Sequence, residues 1–71
     1  MARLPKAREV IAVLRSRGFA LVRQRGSHAI YRHDDGTRIT VPVHGSKEIS
    51  PAVFRQILKD LRMTASDFWS I

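Results

Sequence analysis

Apolar residues recur along the first part of the chain at spacings of three and four. Leu4, Ala7, Ile11 and Leu14 make a stripe, and Val10 and Val13 widen it. That period predicts an amphipathic helix with one face turned to a core. Pro5 suits its first position, and Gly18 suits the left-handed residue beyond its last turn. Leu4 is a poor cap, and Lys6 and Arg8 oppose the helix dipole, so packing must hold this helix. The period then shortens to two. Residues 19–24 read as a strand, a tight turn follows at Gly26-Ser27, and 28–33 read as a second strand rich in β-forming side chains. Asp35-Gly36 is a two-residue hairpin signal. Residues 37–43 make a third strand, with Ile39, Val41 and Val43 on one face and Arg38 and Thr40 on the other. Pro42 has no N–H to give and marks a strand end or an edge. A loop at 44–49 leads to Ser50, a helix cap, and Pro51 at the first helical position. Phe54, Ile57, Leu58 and Leu61 then form the stripe of a second helix. Thr64 and Asp67 resemble a capping box, which opens a last turn and sets Phe68 or Trp69 against the core.

The order is helix, three strands, helix. We expect an α+β domain of two layers, α-β-β-β-α, with a three-stranded antiparallel sheet and its helices on one face. The other face would be open to solvent. With 71 residues and no repeat or linker, the whole span 1–71 is expected to be one domain. A domain of this size buries only about 60% of its unfolded surface, so a site belongs on a face or in a shallow groove. The chain has no cysteine, which removes disulfides and cysteine-bound metal. No apolar run reaches the ~20 residues that span a bilayer, and the N-terminus lacks a secretory pattern, so a cytoplasmic protein without membrane contact is expected.

Charge changes the picture. The net charge is +7, and residues 1–33 hold eight basic side chains against one acid, Glu9; the remainder holds five of each. The excess therefore sits on the first helix and the first two strands. A one-sided field of this kind suits a polyanion such as nucleic acid, although ordinary solubility charge is the plainer alternative.

Gly26-Ser27-His28-Ala29-Ile30-Tyr31 is the most informative stretch. Glycine allows the sharp turn, the Ser27 hydroxyl can fix it, and a histidine is delivered to the start of a strand. Ile30 and Tyr31 compete for the core. We place Tyr31 inward, which turns His28 and Arg32 outward, with Arg38 and Thr40 beside them. Metal-free RNA cleavage needs such a set. A histidine, with a reference pKa near ~6.5, can take the proton of a ribose 2′-hydroxyl, and arginines can steady charge on the phosphoryl oxygens. On spacing alone, a plain polar strand residue is the better supported role for His28.

Three pieces in order lift that balance. Arg25-Gly26-Ser27-His28-x-x-Tyr31, Val41-Pro42-x-His44 and Phe54-Arg55-Gln56-Ile57-Leu58-Lys59 resemble the HicA family of mRNA-cleaving toxins over nearly the whole chain. The resemblance implies a double-stranded RNA-binding-domain-like fold, endoribonuclease activity on mRNA, and neutralisation by a HicB-type antitoxin. It maps the family's essential histidine onto His28. Many members open the second helix with Gly-Thr where this chain has Ser50-Pro51, a place where an antitoxin contact can differ.

The remaining candidates are weaker. His44 is the second candidate for chemistry, as a proton donor to the leaving 5′-oxygen or as a cap on the strand end; we favour the cap. Arg23, Arg25, Arg32 and Arg38 are the candidates for gripping RNA phosphates, against a solvated-face alternative. His33 should face away from His28 as an incidental surface residue. The three histidines, His28, His33 and His44, with Asp34 and Asp35 lack any metal-ligand spacing, so neither metal nor cofactor is expected. Ser27 lacks a triad and belongs to the turn. Arg55 and Lys59 share the polar side of the second helix and suit an acidic partner as well as RNA, and Trp69 is expected to plug the core. The competing function is a non-catalytic double-stranded-RNA-binding module. It is weakened because Arg55 is the first basic residue in a helix start where such modules cluster lysines. A protein that merely titrates an acidic partner would leave the Gly-Ser-His turn without a role.

Overall fold

The computed structural model describes residues 3–70. Met1, Ala2 and Ile71, which belong to the 1–71 expectation and to the reading of the N-terminus, lie outside the described residues. Helix α1 (Ala7–Ser16) leads into strands β1 (Ala20–Arg25), β2 (His28–Arg32) and β3 (Arg38–Pro42), followed by helices α2 (Pro51–Leu61) and α3 (Ala65–Trp69). The strands form an antiparallel sheet in the order β1-β2-β3. Alternation on β2 and β3 is clean: Ala29, Tyr31, Ile39 and Val41 are buried, while His28, Arg32, Arg38 and Thr40 are exposed. The buried set joins Ala7, Val10, Val13 and Leu14 of α1, Phe54 and Ile57 of α2, and Phe68 of α3 in one cluster. This is the expected two-layer α+β architecture, with the helices on the inner face. Tyr31 is only 3% exposed, which resolves its competition with Ile30.

The start of α1 differs from the expectation. The helix begins at Ala7, with Lys6 at the cap position, and Pro5 stays outside it. Pro5 is drawn into a short pairing with the segment before α2: its carbonyl accepts from Ile49 N–H at 2.7 Å, and Lys6 bridges Glu48. Glu9 compensates for the poor cap, its carboxylate accepting from Lys6 N–H at 3.0 Å, and it also pairs with Arg3. An acid in the first turn favours the positive end of the helix dipole.

Both long helices end in the same motif. Phe19 N–H reaches the Leu14 carbonyl and Gly18 N–H the Arg15 carbonyl; Met63 and Arg62 repeat this on Leu58 and Lys59. The motif needs a left-handed residue. Gly18 fills it in α1, and Arg62, with φ 56°, fills it in α2. A non-glycine residue pays steric strain there. Arg62→Gly is therefore expected to stabilise the fold by about 0.5–1 kcal/mol, net of glycine's backbone entropy. Urea melts of the two proteins check this; an unchanged or lower midpoint refutes it.

The β2–β3 connection also departs from the two-residue reading. Residues 34–36 form a three-residue loop closed by His33 N–H to the Thr37 carbonyl, with Gly36 at φ 95°. Side chains favour the longer loop. Thr37 N–H donates to the Asp35 carboxylate at 2.9 Å, and Asp35 N–H donates to His33 Nδ1 at 3.0 Å. The bonds from Thr37, aided by nearby His33, hold the Asp35 carboxyl below its ordinary value of 3.8. Stability from this anchor is full above that value and is lost as pH falls through the lowered one.

At the far end of the chain, Thr64 and Asp67 form the anticipated box around the start of α3. Phe68 meets Phe54 edge-on at 5.0 Å. Trp69 is half-buried rather than a full plug, with Arg3 lying 4.3 Å over its ring. Among the described residues no helix is long and apolar enough to cross a membrane.

Candidate nucleic-acid interface and active site

The outer face of the sheet is read off its register. Arg25 pairs with His28, which pairs with Pro42. Arg23 pairs with Ile30, which pairs with Thr40, and Arg32 pairs with Arg38. Cross-strand partners share a face. Arg23, Arg25 and His28 therefore stand together on the solvent side.

That grouping depends on an irregularity. The register shifts between Leu21 and Arg23, so Val22 is an extra residue in β1. Without it, regular pairing from Ala20 with Arg32 would set Gln24 beside His28 and turn both arginines the other way, because a one-residue slip exchanges the faces. The bulge delivers the arginines to the histidine. Leu21-Val22-Arg23 carries no glycine or other bulge signature, so the sequence reading missed it.

His28 begins β2 because Gly26, at φ 55°, permits the preceding turn. The side chain that bonds within this turn is Gln24, whose amide donates to the Gly26 carbonyl at 3.3 Å, rather than the Ser27 hydroxyl. Ser27 contributes its carbonyl, which accepts from Val43 N–H at 2.6 Å. The imidazole is exposed and lines a groove of about 340 Å³ with Pro42, His44, Lys47 and Glu48. Ile49, Ser50 and Val53 also line it, and Ser50 Oγ caps α2 by accepting from Val53 N–H.

The structure thus brings Arg23, Arg25, His28 and His44 to one region. Arg32 and Arg38 are exposed but lie four residues along their strands, roughly 13 Å away at ~3.3 Å per residue. Lys47 is a groove cation that the sequence reading passed over; its only signal was a place in the short loop between His44 and the Ser50 cap. His33 is not incidental. It is half-buried, its ring meets that of Phe19 at a tilt with centroids 5.2 Å apart, and its Nδ1 accepts from Asp35 N–H. A Cβ at Gly18 would lie 3.2 Å from its ring, so the tight helix end and this histidine fit each other. Among the described residues no cluster of three metal-type side chains occurs.

The three motifs behind the sequence resemblance lie at the turn from β1 into β2, at the end of β3 and on α2. The family profile described as the HicA toxin of bacterial toxin–antitoxin systems matches residues 7–63. The chain belongs to the HicA toxin family. The match takes in the Gly26-Ser27-His28 turn, the groove, α1, the whole sheet and α2, and stops before α3. No individually curated relative matches the chain. Membership makes the protein the toxin of a toxin–antitoxin system, with an antitoxin as its partner.

Proposed function

We propose that this HicA toxin is a metal-independent endoribonuclease that degrades mRNA in the cytoplasm, and that a HicB-type antitoxin neutralises it. The observation that carries the reading is an exposed imidazole, His28, at the lip of a groove and directly across from Arg25. His28 Nε2 or Nδ1 takes the proton of a ribose 2′-hydroxyl, and the freed oxygen attacks the adjacent phosphorus. Arg25 and Arg23 neutralise the phosphate that approaches the open face; charge stabilisation of this type is a large component of such catalysis. A shallow site suits a long flexible polymer, since a single strand can lie across it where a folded substrate would not enter. A protein partner that covers this face would block the toxin, which is the simplest route to neutralisation.

Purified protein should cleave mRNA in the presence of a chelator. RNA left intact at protein excess would remove the nuclease reading. A double-stranded-RNA-binding module without catalysis, the competing reading, would retain RNA and leave it whole in that same assay. Charge gives a further check. Log K for RNA should fall linearly with log salt, and Arg25→Ala should reduce the magnitude of that slope by about one. An unaltered slope would mean that Arg25 meets no phosphate.

A further inference from the structure

The groove that takes in His28 holds a second imidazole. Ser27 and Val43, the residues just before His28 and His44, are tied backbone to backbone at 2.6 Å. Their contact extends the β2–β3 ladder one step beyond the His28–Pro42 pair. Alternation then returns the next side chain, His44, to the face of Pro42 and therefore of His28. Both rings line the same groove, and both residues are exposed. The strand-end cap favoured from sequence has no support, because no hydrogen bond from the His44 ring appears among the described residues, whereas its backbone carbonyl accepts from Lys47 N–H.

Cleavage by the 2′-hydroxyl requires two proton transfers. The attacking oxygen must lose a proton, and the departing 5′-oxygen must gain one or leave as a high-energy alkoxide. Imidazole is the side chain of this groove suited to giving a proton near neutral pH. Lys47 and Glu48 also line this groove, one cation beside one carboxylate.

We propose that His44 is a second catalytic residue, the general acid that protonates the leaving 5′-oxygen while His28 acts as the base. This rests on the nuclease reading above. The 2′-oxygen–phosphorus bond forms as His28 takes the 2′ proton; the phosphorus–5′-oxygen bond breaks as the His44 imidazolium gives its proton. The products are a 2′,3′-cyclic phosphate and a free 5′-hydroxyl. Solvent then returns a proton to His44 and removes one from His28, so no net proton is consumed.

The test uses two short RNAs containing a link that the wild type cuts, one all-oxygen and one with sulfur replacing the bridging 5′-oxygen. A thiolate departs without protonation. His44→Ala should lose roughly 10²–10⁴-fold on the oxygen substrate, yet cut the sulfur substrate within about tenfold of wild type. His28→Ala should be slow on both, and the wild-type products should end in cyclic phosphate. The proposal is overturned if His44→Ala cuts the oxygen substrate normally, or if it is slowed equally on both. Recovery on sulfur would itself show that the variant folds and binds. A wild type silent toward all RNA would instead strike the nuclease reading, a result distinct from either.

Discussion

His28→Ala is expected to abolish growth arrest on expression and to slow RNA cleavage by about 10²–10⁴-fold, the usual worth of a general base. The fold should be untouched. The side chain is exposed, and none of the core residues depends on it. Surface substitutions of this kind normally alter stability by less than about 0.5 kcal/mol. Circular-dichroism melts of wild type and variant should therefore superimpose while their activities part by orders of magnitude. His28→Gln, which keeps a hydrogen-bonding group without a usable base, should be equally inactive. Binding should survive, because the arginine charges that dominate RNA affinity remain. A folded His28→Ala that is as toxic as the wild type would dismiss this imidazole as the base.

The largest expected effect on stability is at the opposite end of the chain. Phe68 is 2% exposed and packs on Phe54 and Trp69. Phe68→Ala should cost about 3–5 kcal/mol through lost burial and the cavity left behind. A domain of this size has roughly 4–11 kcal/mol in total at 0.05–0.15 kcal/mol per residue, so the variant should lose a large share of its stability and unfold at much lower urea. The site is notable because α3 lies beyond the region shared with the family profile. It is nevertheless part of the core, held in place by the Thr64–Asp67 box. Urea titration followed by tryptophan fluorescence would measure the loss. A midpoint equal to that of wild type would show that α3 is a detachable appendage.

Much of this was legible because side-chain period and turn chemistry act locally. Tyr31 inward and His28 outward follow from a period of two once one residue is assigned to the core. Ser50-Pro51 and Thr64-x-x-Asp67 announced their helices through the groups that satisfy the first N–H donors. The exceptions arise where distant segments decide. Pro5 looked like a helix start, but its carbonyl is taken by Ile49, forty-four positions on. His33 looked incidental because neither Phe19 nor Gly18 is near it in sequence. The groove joins β2, the end of β3 and the start of α2, so Lys47 had no local mark of its place there. His44 was recognised as a candidate, but its ladder to the Ser27 side of the turn is a tertiary fact. The bulge at Val22 was invisible for a different reason: Leu and Val are ordinary strand residues, and only the pairing partner reveals that one is surplus.

That surplus residue bears on solubility as well. β1 forms one margin of the sheet, every one of its residues is exposed, and Leu21 and Val22 are 46% and 52% accessible. A straight apolar margin of this kind templates the addition of strands from other molecules and leads to aggregates. Here the kink spoils the row of unpaired amides, and Arg23 and Arg25 follow it at once, so like charges oppose any second copy that tries to align. The same distortion that aims cations at the histidine also blunts this margin against pairing with another copy.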